Sequence, residues 1–137
     1  MVTCDQAWRV PARPSEIRGV RHDITRLVVA DHLTDLQVAD VALAVSEAAS
    51  NVVRHAFPDD RPGMIELHVV VDAMGVVVVV RDDGVGRGSP SADPGAGLGL
   101  SIIASLADEV AQTPRPDGGT EVRMRFLSAG PGAPRLS

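Results

Sequence analysis

The five consecutive valines at Val76–Val80 restrict the fold of this 137-residue chain more than any other feature. β-Branched side chains are stiff at χ1 and favour extended backbone, and an uninterrupted apolar run suits a strand buried on both faces. Met64–Val71 has the composition of a partner strand, and Asp72-Ala73-Met74-Gly75 is short enough for a tight connection. We therefore predict a hairpin whose second strand is buried.

Apolar residues recur at helical spacing in three other segments. The first helix is predicted from an N-cap at Ser15 to about Ala30, the second from about Asp35 to His55, and the third follows a glycine-rich start near Leu100. Each of these helices has one apolar face that should pack on the sheet. The apolar positions are Ile17, Val20, Ile24, Leu27 and Val28 in the first, Val38, Val41, Val45, Ala49, Val52, Val53 and Ala56 in the second, and Leu100, Ile103, Leu106, Ala107 and Val110 in the third.

The opposite face of the second helix collects Asp40, Glu47, Asn51, Arg54 and His55. Glu47 and Asn51 are one helical turn apart and project the same way. A carboxamide oxygen is a suitable ligand for Mg²⁺, and a carboxylate can accept the proton of a hydroxyl nucleophile. A solvated helix face is the alternative interpretation, and a lone histidine near a helix end is more often a cap or a packed group. This polar face is the first candidate site.

Two glycine-rich motifs follow the hairpin. Asp82-Asp83-Gly84-Val85-Gly86 comes directly after the valine strand, where glycines let the backbone turn tightly and approach a flat ligand. Gly95-Ala96-Gly97-Leu98-Gly99-Leu100 opens the third helix, where free N–H groups can hold phosphate oxygens. Each motif alone is also compatible with a simple turn or helix entry, and the second matches neither a P-loop nor a dinucleotide-binding fingerprint.

The remaining segments complete one predicted domain over residues 1–127. Cys4–Val10 is predicted as an edge strand ended by Pro11 and Pro14, pairing either within the domain or across a dimer. Arg87–Ala96 has the composition of a mobile loop, Pro114–Gly119 of a turn, and Thr120–Phe126 alternates as a last strand. Residues 128–137 are expected to be a disordered tail.

Composition excludes several classes of protein. The net charge of −5 argues against general nucleic-acid binding, which needs a surplus of Lys and Arg. A single cysteine, Cys4, can form neither an intrachain disulfide nor a Cys-based zinc cluster, and it favours a reducing cytoplasm. No stretch reaches the roughly 20 apolar residues that a membrane span requires. We expect a cytoplasmic protein with no membrane or nucleic-acid partner.

Taken together, the motifs resemble the N, G1, G2 and G3 boxes of the GHKL ATP-binding superfamily, which has the Bergerat fold. The four boxes are Glu47/Asn51, the Asp82 motif, the Gly95–Gly99 motif and Gly119-Thr120. The resemblance covers roughly residues 8–127. The helix phrase Ser46–Ala56 and the phrases Gly97–Leu100 and Ala107–Val110 are similar to the bacterial anti-sigma-factor serine-kinase branch.

The resemblance implies a fold and a role for each box residue. The family fold is an α/β (α+β) two-layer sandwich, with three helices on one face of a mixed, mostly antiparallel sheet. Glu47 would be the general base, Asn51 would bind Mg²⁺, and Asp82 would accept the adenine amino group. The implied ATP- or ADP-binding residues are Asn51, Arg54, His55, Asp82, Gly84, Val85, Gly86, Gly95, Ala96, Gly97, Leu98, Gly99, Leu100 and Thr120.

The function implied by the resemblance is a serine/threonine-protein kinase that sequesters a sigma factor and phosphorylates an anti-anti-sigma (STAS-domain) protein, usually as a homodimer. Some relatives carry a basic residue before the second glycine box, where this chain has Gly95 and Ala96, and no cation is nearer than Arg87. A regulatory module that binds nucleotide without transferring phosphate is therefore the main alternative. A sensor histidine kinase and an ATP-driven machine both need domains for which the chain has no room.

Overall fold

A computed structural model of the chain describes residues 2–29, 33–56, 63–84 and 94–128, with side chains from residue 100 onwards in the last range. The elements in chain order are strand β1 (Val2–Pro11), a 3-10 turn (Pro14–Glu16), helices α1 (Ile17–Leu27) and α2 (Asp35–His55), strands β2 (Met64–Asp72) and β3 (Gly75–Asp82), helix α3 (Pro94–Leu106), and strands β4 (Glu109–Pro114) and β5 (Thr120–Leu127). Of the predicted tail at residues 128–137 only Ser128 is described, and of the predicted loop Arg87–Ala96 only residues 94–96, which belong to helix α3 and not to a loop.

The five strands form one sheet in the order β1-β2-β3-β5-β4, and every neighbouring pair is antiparallel. The predicted hairpin is confirmed, with β2 and β3 joined by the turn at Ala73 and Met74. Met74 N–H donates to Asp72 Oδ1 at 2.8 Å, so the aspartate side chain closes this turn. Strand β1 pairs with β2 inside the domain, which is one of the two predicted pairings.

The core lies between the sheet and the helices. One face of the sheet buries alternate residues of β2, β3 and β5, and the buried faces of α1 and α2 cover it. Val76, Val78 and Val80 are at most 1% exposed on this face, and Val79 on the other face is only 5% exposed. Val77 is half-buried, so the prediction of a strand buried on both faces holds for four of the five valines.

Helix α2 has the predicted bounds because its start is capped and its apolar arc is continuous. Thr34 Oγ1 accepts from Gln37 N–H at 3.0 Å, and Gln37 Oε1 accepts from Thr34 N–H at 2.9 Å, which is a capping box. By length and overall composition alone, the helix would be apolar enough to cross a membrane. Its most apolar window is 56% buried within the described fold, as is typical of a core helix.

Two predicted helix boundaries are wrong. Ser15 is not an N-cap, because it lies inside the 3-10 turn that begins at Pro14, and α1 starts at Ile17 without a side-chain cap. The third helix ends at Leu106 and does not reach Val110, which belongs to β4. Strand β4 was missed entirely. Its backbone pairs with β5, and Pro114 at its end is compatible with an edge strand but not with a helix interior.

Candidate nucleotide-binding site

Four polar side chains are buried among the described residues, and three of them belong to predicted boxes. Asn51, Asp82 and Thr120 are 6%, 4% and 3% exposed, and the fourth is Ser46. Ser46 Oγ donates to Leu43 O within its own helix, so this hydroxyl is satisfied locally. Burying a polar side chain is unfavourable without a partner, and the other three therefore mark the polar part of the interior.

Strand pairing brings Asp82 and Thr120 to the same end of the sheet. Arg81 is opposite Glu121 in the β3–β5 ladder, so the next position places Asp82 across from Thr120. Asp82 is also paired with Ile65, which is fully buried on the helix-covered face. Both side chains consequently face the core side of the sheet, where α2 and α3 lie.

The backbone after Asp82 folds closely against the end of α2. Asp82 Oδ1 accepts from Gly84 N–H at 3.0 Å, which turns the chain directly after the strand. A Cβ on Gly84 would lie 2.1 Å from the carbonyl oxygen of Ala56, the C-cap of α2. Only glycine permits this approach, and it fixes the Asp82 motif beside the last turns of α2. Val85 and Gly86, the other predicted residues of this motif, lie outside the described residues.

The polar face of α2 is less exposed to solvent than the polar face of a typical surface helix. Asn51 is buried, Glu47 and His55 are half-buried, and Arg54 is exposed. Asn51 Oδ1 accepts from Arg54 Nη2 at 2.7 Å, so the oxygen assigned to Mg²⁺ already faces a cation in this structure. Burial raises the pKa of Asp40, which is on the same face near the start of the helix.

The second glycine motif lies within α3, which begins at Pro94. Backbone N–H groups in the first turn of a helix have no intrahelical acceptor, and the positive end of the helix dipole lies there. Gly95, Ala96 and Gly97 lie in this first turn and Leu98 and Gly99 in the second, while the described side chains of α3 begin at the half-buried Leu100. Because α3 packs on α2, this helix start is on the same side of the sheet as Asn51.

Oxygen donors for a metal are few in this region. The described residues contain no group of three or more His, Cys, Asp and Glu side chains that could hold a metal ion. A site with one carboxamide oxygen is compatible with Mg²⁺, which keeps several waters and is commonly completed by substrate phosphates. The donor set therefore fits a Mg²⁺ ion that arrives with a nucleotide.

One further residue of this region was not predicted from the sequence. Arg115, in the turn between β4 and β5, donates from Nη1 to the backbone carbonyl of Asp82 at 2.8 Å. No sequence motif marks a hydrogen bond to a backbone carbonyl 33 positions away. The sequence indicated only that Arg115 lies in a proline-rich turn.

A family model described as a histidine kinase-like ATPase domain matches residues 10–126. The serine-protein kinase RsbW of Bacillus subtilis is 29% identical over 135 residues, covering 88% of this chain and 84% of that protein. The anti-sigma F factor of Clostridium novyi is 24% identical over 125 residues, covering 79% of this chain and 87% of that protein.

Solved structures with the same fold include two larger proteins. The crystal structure of the RsbU and RsbW domains of a Mycobacterium tuberculosis protein matches with a TM-score of 0.69 and 22% identity, over 94% of this chain and 34% of that one. The histidine kinase domain of a blue-light activated kinase from Erythrobacter litoralis matches with a TM-score of 0.55 and 24% identity, over 84% of this chain and 60% of that one. This chain thus spans about a third of the Mycobacterium tuberculosis chain and less than two thirds of the Erythrobacter litoralis chain. At these identities the likeness shows the fold alone.

Proposed function

Since the chain belongs to the family of histidine kinase-like ATPase domains, we propose that it is a Mg-ATP-dependent serine/threonine-protein kinase of the anti-sigma-factor type. In this proposal the protein sequesters a sigma factor and phosphorylates a small anti-anti-sigma (STAS-domain) partner. The observation that carries the proposal is the burial of Asn51, Asp82 and Thr120. Among the described residues four polar side chains are buried, and these three belong to three different boxes.

The adenine end of the proposed site is formed by Asp82 and its neighbours. The Asp82 carboxylate accepts the exocyclic amino group of adenine, and the close packing of Gly84 on Ala56 fixes the turn that follows this carboxylate. Thr120, across from Asp82 in the sheet, supports this side of the pocket. Val85 and Gly86 are adenine-binding residues in this proposal because they belong to the same motif as Asp82 and Gly84.

The phosphate end is assigned to the polar face of α2 and the start of α3. In this proposal Gly97 and Gly99 wrap the phosphates, the free N–H groups at the start of α3 bind phosphate oxygens, and Gly95, Ala96, Leu98 and Leu100 shape the same helix entry. Asn51 Oδ1, which accepts from the exposed Arg54 side chain in this structure, would hold Mg²⁺, and Arg54 and His55 would contribute to nucleotide binding on the same face. The metal supplies charge neutralisation on the transferring phosphoryl group.

Phosphoryl transfer requires a group that takes a proton from the partner's hydroxyl. Glu47 is one turn before Asn51 on the same face of α2 and is half-buried, so its carboxylate is suited to this role. The serine oxygen forms a bond to the γ-phosphorus, the bond from that phosphorus to the β–γ bridging oxygen breaks, and ADP leaves. The hydroxyl proton passes to Glu47.

The test is to incubate the protein with labelled Mg-ATP and its cognate anti-anti-sigma partner. Label on the partner is the expected result. Glu47→Gln should lower the transfer rate by about 10²- to 10⁴-fold, because a general base contributes roughly that factor, while nucleotide still binds. Glu109→Gln is the matched control, because Glu109 is an exposed carboxylate on strand β4. This variant should transfer phosphate to the partner at the wild-type rate.

A second candidate is a regulatory module that binds nucleotide and sequesters its partner without transfer. The absence of a cation next to Gly95 and Ala96 in the sequence favours it, because phosphoryl-transfer sites commonly use such a charge. Label that stays on the nucleotide while a stable complex with the partner forms would establish the module and refute the kinase.

We also propose that the protein acts in the cytoplasm as a homodimer. Strand β1 is at one end of the sheet, so its outer backbone edge has no partner strand within the described chain. Together with α1, this edge is the surface we assign to the dimer. A monomeric mass at micromolar concentration in light scattering would contradict the assignment.

A further inference from the structure

Arg115 joins the two turns that form the adenine end of the proposed site. Its Nη1 donates to the backbone carbonyl of Asp82 at 2.8 Å, and its Nη2 lies 3.9 Å from Glu66 Oε2 on β2. The side chain is 29% exposed, so this contact is partly shielded from water. A charged donor makes a stronger hydrogen bond than a neutral one, and the guanidinium can serve two acceptors at once.

The backbone around Arg115 is itself fixed. Arg115 N–H donates to Gly119 O at 3.1 Å, and Gly118 N–H donates to Arg115 O at 3.1 Å. Pro114, immediately before Arg115, is paired with Thr120 across β4 and β5. The guanidinium is therefore held on a closed turn whose last residue precedes Thr120.

Asp82 is paired with Ile65 of β2, but on its β5 side regular pairing ends one residue before it. The β3–β5 ladder stops at Arg81 and Glu121, and the chain turns away after Asp82. The direction of the Asp82 carboxylate depends on the backbone of residues 82–84, since Oδ1 bonds to Gly84 N–H. The hydrogen bond from Arg115 to the Asp82 carbonyl oxygen restrains the same backbone at a second point.

We propose that Arg115 is a positioning residue for adenine recognition, acting through the backbone of Asp82 without touching the nucleotide. This inference rests on the proposed function, in which Asp82 binds the adenine amino group. Removing the Arg115 side chain would let the Asp82 turn move and would weaken nucleotide binding by about 2- to 30-fold, the usual range for a residue that acts through another.

The test is a double-mutant cycle of Mg-ADP affinity with Arg115→Ala and Asp82→Asn. Arg115→Ala should weaken binding in the wild-type background and cause no further loss in the Asp82→Asn background, because its effect passes through Asp82. Arg81→Ala is the matched control, since this neighbouring arginine bonds to the Glu121 side chain at 2.6 Å and should leave affinity unchanged. An equal loss in both backgrounds, or no loss in either, would overturn the proposal.

A measurement without nucleotide separates this inference from the proposed function. Amide hydrogen exchange at Gly84, whose N–H bonds to Asp82, should become faster in Arg115→Ala and stay unchanged in Arg81→Ala. If the wild-type protein binds no ADP, the proposed function fails, and the exchange rate still decides whether Arg115 holds the Asp82 turn. Unchanged exchange at Gly84 in Arg115→Ala would refute the positioning role directly.

Discussion

Two adjacent glycines in the β4–β5 turn offer a test of how closely the backbone of this turn approaches Asp82. Gly118 and Gly119 both have positive φ, +99° and +89°. A Cβ on Gly119 would lie 2.0 Å from the carbonyl oxygen of Asp82, whereas one on Gly118 would have a single neighbour within 4 Å, the Gly84 carbonyl oxygen at 3.8 Å. Gly118→Ala therefore tests backbone strain alone, and Gly119→Ala adds a collision with backbone.

The magnitude follows from these two terms. An alanine at such a φ costs about 1–3 kcal/mol at either position. The collision at Gly119 costs about 1–3 kcal/mol more, which is typical of overpacking where the neighbour is backbone. An unfolding entropy of about 2.1 cal/mol/K per residue over 137 residues converts each 1 kcal/mol into about 3–4 °C of Tm. Gly119→Ala should therefore melt about 3–10 °C below Gly118→Ala.

The assay is thermal unfolding followed by far-UV circular dichroism, with Mg-ADP titration of both variants below their Tm. Gly119→Ala should also bind ADP more weakly than Gly118→Ala, because relief of the collision must shift the Asp82 backbone. Equal Tm values for the two variants would show that the turn does not approach Asp82 as closely as the structure has it.

Two further predictions concern helix α2. Thr34→Ala removes the capping box and should cost about 1 kcal/mol, or about 3–4 °C in Tm, and an unchanged Tm would contradict the cap. Asp40→Asn should raise the Tm at pH 7, because burial raises the pKa of Asp40 and its charged form therefore destabilises the folded state above that pKa. This advantage over the wild type should vanish as the pH falls below 3.8, the ordinary value of the carboxyl group, and a constant difference from pH 7 to pH 3 would contradict the assignment.

The sequence was most informative where a periodic pattern was long. Helix α2 was predicted with its actual bounds because its apolar arc continues through most of its 21 residues, and the hairpin was predicted because valines and a short turn leave few alternatives. The capping box at Thr34 and Gln37 follows a recognisable Thr-x-x-Gln pattern and could also have been predicted.

Strand β4 shows why a short segment is harder to predict. Val110 is at helical spacing from Ile103 and Leu106, so periodicity extended the helix through it. In the structure its backbone pairs with Met124 on β5, and that pairing decides the conformation. Tertiary contacts of this kind override local preference in segments of about six residues.

The site was only partly visible for a similar reason. The glycine motifs and the Glu47/Asn51 pair can be recognised locally, but the placement of Asp82 across from Thr120 requires the β3–β5 register. The burial of Asn51 and the bond from Arg115 to Asp82 depend on packing between distant segments. The roles assigned to the box residues remain predictions that binding measurements must test.

Calorimetric titration with Mg-ADP tests the central claim most directly. We predict a saturable one-site binding heat for the wild-type protein, and weaker binding by about 10-fold or more in Asp82→Asn, because a hydrogen bond to a charged group contributes about 1.5–3 kcal/mol. A folded wild-type protein that releases or absorbs no binding heat over a range of temperatures would contradict nucleotide binding. Unchanged affinity in Asp82→Asn would contradict the assignment of the adenine pocket.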